Sequence, residues 1–61
     1  MTMTIDQAIE IIVDSDEYLY YGTHWSKFSK QTFYKIRRRS FQGRWGLNTE
    51  RELFTLARLC S

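Results

Sequence analysis

A chain of 61 residues sits near the lower size limit for an independent fold, so residues 1–61 are read as a single domain with a modest core. With 43% hydrophobic and 16% aromatic residues it belongs with folded rather than disordered chains, and its one cysteine, Cys60, excludes the intrachain disulfides of small secreted domains. The net charge of +2 hides a segregation: residues 1–22 carry five acids and no Lys or Arg, residues 23–48 seven cations and no acid, and residues 49–61 two of each. Such asymmetry points to an anionic partner, unless the two segments neutralise one another.

At the N-terminus, Asp6 and Glu10 interrupt what a signal peptide would need as its apolar region. The longest apolar run, Tyr18 to Tyr21, has four residues against the roughly 20 of a membrane span, so no membrane span is expected and the expected location is cytoplasmic. Thr4 and Gln7 have the capping-box spacing and predict a helix start. On the helical wheel Ile5, Ala8, Ile9, Ile12, Val13 and Leu19 share one face, with Asp6, Glu10, Asp14 and Glu17 opposite. Extended through Tyr21, the same wheel drops Asp16 into the apolar stripe, where an unpaired carboxylate is costly. Either the helix breaks near Asp14 and Ser15, with Ser15 capping a short second turn, or Asp16 meets an arginine of the basic segment. The break is favoured, because Ser and Asp compete for local backbone bonds. Gly22 then reads as a left-handed helix stop and "GTHWS" as a connector.

From Ser26 to about Ser40 a second helix places Phe28, Phe33 and Ile36 inward and Lys27, Lys30, Gln31, Tyr34, Lys35, Arg37 and Arg38 outward. A strand reading competes, because "TFYKIRRRSF" is rich in β-formers and "QG" before "RWGL" suits a turn. Gly43 and Gly46 bracket Arg44 and Trp45, with Trp45 expected as a lid over the core edge. Thr49 and Glu52 form a second capping-box pair ahead of a helix that puts Leu53, Leu56, Ala57 and Cys60 on one face, widened by Phe54 and Leu59. The fold class expected is all-α, a small three-helix domain; the alternative is α+β with a short hairpin in residues 32–47. The expected core is Ile5, Ile9, Ile12, Val13, Leu19, Trp25, Phe33, Ile36, Trp45, Leu53, Phe54 and Leu56.

Lys and Arg that neutralise phosphates release counterions, which supplies most of the affinity of nonspecific nucleic-acid binding. On this reading Lys27, Lys30, Lys35, Arg37, Arg38 and Arg44 position phosphates. Either Tyr34 and Phe41 stack on exposed bases, or Gln31 and Arg38 reach base edges where the helix enters a major groove. The string "SKQTFYKIRR" resembles the recognition helix of bacterial helix-turn-helix proteins over its ten residues, which implies a helix lying in a DNA groove. Between Gly22 and Ser29 lie six residues, "THWSKF", where that motif has about four. The competing reading is an adaptor or inhibitor that docks on a larger protein assembly through Tyr18, Tyr21, Trp25 and Trp45. For the basic segment an acidic protein or a lipid headgroup is the further candidate partner, and a second copy of the chain, as a homo-oligomer, is a candidate supplement to so modest a core.

Enzyme chemistry is not expected. His24 is the only histidine, and no base, nucleophile and charge stabiliser are spaced to converge. "DSDE" lacks the following donor and glycine of a calcium loop, and "GRWG" lacks the Lys-Ser/Thr ending of a phosphate loop, so no metal or cofactor is expected.

Overall fold

A computed structural model describes residues 2–61. The elements run α1 (Ile5–Asp14), β1 (Tyr18–Ser26), β2 (Gln31–Arg38), β3 (Gly46–Asn48) and α2 (Glu50–Cys60). The strands form one antiparallel sheet of order β1-β2-β3, and the helices pack against each other and on the sheet.

This α+β arrangement overturns the all-α three-helix domain, and with it the description as a small helical domain. Residues 18–21 begin β1 instead of extending the first helix, and residues 27–38 form a hairpin turn and β2 in place of the middle helix. Strands win because about half of the residues of β1 and β2 are Tyr, Thr, Trp, Phe or Ile, whose bulky or branched side chains lose freedom in a helix and pack well on a pleated surface. Cross-strand partners such as Tyr20 with Ile36 and Trp25 with Thr32 add to this. The string resembling a recognition helix is therefore turn and strand, and no helix from it can enter a groove. The pairing of β2 with β3 lies where the alternative put a short hairpin, but the larger hairpin is β1–β2, which that alternative did not contain.

Both helix starts are chemically local events. Thr4 Oγ1 accepts from the Gln7 amide at 3.1 Å while Gln7 Oε1 accepts from the Thr4 amide at 2.9 Å, and Thr49 and Glu52 repeat the exchange at 3.2 and 2.9 Å. At the end of α1 the Ser15 hydroxyl donates to the Ile12 carbonyl at 2.6 Å, and Asp16 takes a left-handed φ of 64° that stops the helix. The second resolution for Asp16 holds as well: its carboxylate lies 2.9 Å from Arg39, although both side chains are more than half exposed. Water screens such a pair, so it tethers the turn more than it stabilises the fold. Gly22 is not a helix stop. It sits in a bulge of β1 where Tyr21 and Gly22 together oppose Lys35, at φ +110°, a conformation that only glycine adopts without strain.

The core is Ala8 and Ile12 of α1, Tyr34 and Ile36 of β2, and Leu53 and Ala57 of α2. Ile5, Ile9, Phe54 and Leu56 pack partly against it, as expected. Val13, Trp25 and Trp45 are exposed instead, and Leu19 and Phe33 lie away from this cluster: Val13 is at the rim of the α1 face, Trp45 is in the loop before β3, and Leu19, Trp25 and Phe33 stand on strands where a helix or connector was expected. The shortest Cα extent is 14 Å, enough for one sheet and one helix layer, so the other face of the sheet is bare. No helix among the described residues is long and apolar enough to cross a membrane.

Candidate functional site

Strand alternation and register decide what the bare face displays. Buried Tyr34 and Ile36 point to the helices, so Gln31, Phe33, Lys35 and Arg37 of β2 point the other way. Directly opposite residues share a face, which adds Leu19 beside Arg37, His24 beside Phe33 and Leu47 beside Lys35. Tyr21 joins them through its phenol oxygen, which accepts from Arg37 Nε at 3.2 Å. Trp45, just ahead of β3, lies beneath Lys35, whose Nζ is 4.9 Å from the ring centroid. Arg37 also donates to the Phe41 carbonyl and so ties the β2–β3 loop to this face. The result is a surface of aromatic rings with an ammonium and a guanidinium set among them.

Charge is sorted by layer. Every acid among the described residues lies in α1, in the turn after it or in α2, whereas the strands and the loops joining them carry seven cations and no acid. One salt bridge forms among these residues, Arg39 with Asp16. Arg38 turns to the helix side, donates to the Tyr18 hydroxyl at 3.2 Å and stacks over its ring. That hydrogen bond, with the charges of Tyr18 and Glu17, raises the Arg38 pKa against a small opposing effect of burial. The cleft there is lined by Asp16, Glu17, Arg38, Arg39 and Ser40, acids and cations together, and so offers an anion little net attraction. Lys35 and Arg37 have no carboxylate partner among the described residues.

The structure thus divides the residues that the sequence proposed for nucleic acid. Lys35 and Arg37 meet on the bare face, and Arg44 is exposed in the loop leading to Trp45. Lys27 and Lys30 stand on the β1–β2 turn with Gln31 beside them. Tyr34 is lost to a stacking role, since it is 5% exposed in the core, where burial first, then Glu50, Tyr20 and Asp6, raise its phenol pKa. Of the aromatic residues proposed for a protein interface, Tyr21, Trp25 and Trp45 are exposed, while Tyr18 packs on the core edge. Sequence reasoning missed Phe33, His24 and Leu47 as members of the bare face. The signal was present in the alternation of Thr32, Tyr34 and Ile36 with Gln31, Phe33, Lys35 and Arg37.

No known family model matches this chain, and comparison with curated proteins and with solved structures finds no similar protein. Among the described residues no three His, Cys, Asp or Glu side chains gather as metal ligands.

Proposed function

We propose that the chain is a non-enzymatic, cytoplasmic module that binds single-stranded nucleic acid on the bare face of its sheet. The observation that carries this reading is the coincidence, on one face, of the rings of Tyr21, Phe33 and Trp45 with Lys35 and Arg37, and of every acid with the turn and helices elsewhere. Unpaired bases offer π-faces to exposed rings, each stacked base contributing roughly 1–3 kcal/mol whatever its identity. Lys35 and Arg37 then take the phosphates between stacked bases, with Arg44, Lys27 and Lys30 at the margins. An open sheet face suits a splayed single strand better than a duplex groove, and it replaces the groove-entering helix that the sequence suggested.

An interface for another protein is the second reading, favoured by the exposure of Tyr21, Trp25 and Trp45. Salt separates the two. For about three to five phosphates neutralised on a single strand, raising salt from about 50 to 200 mM should weaken binding by roughly 15- to 130-fold. A labelled unpaired oligonucleotide and its duplex, titrated at both salts, should show this dependence with the single strand favoured. Absence of binding at the lower salt removes the proposal, and tight binding that salt leaves unchanged favours a protein-like interface.

A further inference from the structure

The β1–β2 hairpin outruns the helices that cover it. α1 has ten residues, about 15 Å of helix, while β1 has nine residues, about 30 Å of strand. Exposure follows this mismatch: Tyr34 is buried near the middle, whereas His24 and Trp25 are exposed farther out, as is the whole turn Lys27–Lys30. At its end Phe28 is 104% exposed, more open than any other large apolar side chain described. The turn that carries it is ordered, because the Ser29 amide and hydroxyl both engage the Ser26 hydroxyl at 3.4 and 2.9 Å and Lys30 closes it with a left-handed φ of 52°. Lys27 and Lys30 flank the ring, and no acid occurs between residues 18 and 48.

A bare ring between two cations, held out at the end of the hairpin, has no role inside the fold. We infer that Phe28 is a wedge that stacks at the boundary between unpaired and paired nucleic acid, with Lys27 and Lys30 on the adjoining phosphates. This rests on the single-strand reading of the bare face, which continues onto the arm through His24 and Phe33. Apolar side chains serve as wedges between base steps, and a terminal pair already presents one open face, so a single ring suffices there. An anionic bilayer is the less favoured ligand, because one ring and two lysines fall short of the paired signals or clusters of basic residues that hold proteins on membranes.

The test compares the full chain with Phe28→Ser, a substitution at a side chain that supports nothing else. The probes are a tail of roughly 12 unpaired nucleotides and the same tail joined to a short duplex, with 2-aminopurine in the terminal pair. The native chain should prefer the junction by about tenfold, the scale of one stacked base, and should change the 2-aminopurine emission. Phe28→Ser should lose the preference and the signal while its affinity for the tail alone stays within about twofold. Tail binding with no junction preference, or with a preference that survives Phe28→Ser, overturns the wedge and leaves the bare face standing. Failure of both proteins to bind the tail overturns the bare-face reading and the wedge with it. Phe28-dependent binding to phosphatidylserine vesicles, tighter than to the junction, assigns the arm to lipid and also overturns the wedge.

Discussion

Leu53→Ala is expected to remove about half of the chain's folding stability. Leu53 is fully buried at the centre of the face that α2 turns to the core. Truncating such a leucine costs about 2–5 kcal/mol, because the lost transfer energy is joined by the cavity left behind. A domain of this length holds only about 3–9 kcal/mol in total, at roughly 0.05–0.15 kcal/mol per residue. Among the described residues the core has just six buried side chains, two of them alanines, so little remains to close around the gap. Urea denaturation followed by circular dichroism should show the midpoint fall to about half of its native value or below. Leu59→Ala, in the same helix but 78% exposed, should shift the midpoint hardly at all. Equal effects from the two substitutions would contradict the packing of α2 described above.

The second large effect is on binding. Replacing Lys35 and Arg37 together by Glu should lower affinity for unpaired oligonucleotide by about 100-fold or more at low salt, since two phosphate contacts become two repulsions. Folding should persist, because both side chains lie on the bare face and neither belongs to the core. Reversing Arg51 and Arg58 of α2 changes the net charge by the same amount but on the helix layer, so it should alter affinity only a few-fold. That control decides between a located site and a general attraction to a basic protein. A comparable loss from both pairs would remove the site and leave only net charge.

The parts of the fold set by neighbouring residues were legible in the sequence. Thr4 with Gln7 and Thr49 with Glu52 marked both helix starts, because a capping box is completed within four residues. Asp16 marked the end of α1 by breaking the apolar stripe, and its left-handed conformation is the physical form of that break. The strands were obscured because Phe33 and Ile36 satisfy a helical face, while Tyr34 and Ile36 satisfy an alternating one. Only the tertiary pairing with Thr23 and Tyr20 settles which applies. The bulge at Gly22 concealed β1 further, since glycine after a polar helix reads as a stop. For the candidate site, the separation of acids from cations along the chain was visible, but that it leaves the sheet layer with cations and no acid depended on the fold. Tyr34 shows the limit most clearly: which of two adjacent rings, Phe33 or Tyr34, faces water was decided by where the helices lay.

The central claim is that the bare sheet face is the surface that takes the nucleic acid. Amide chemical shifts of isotope-labelled protein, recorded with and without an unpaired oligonucleotide of roughly ten nucleotides at low salt, test it most directly. The account predicts the largest changes at Leu19, Tyr21, Phe33, Lys35, Arg37 and Leu47 and at the Trp45 indole, with the exposed sides of α1 and α2 nearly still. Changes centred on the helices, or none at saturating oligonucleotide, would contradict it.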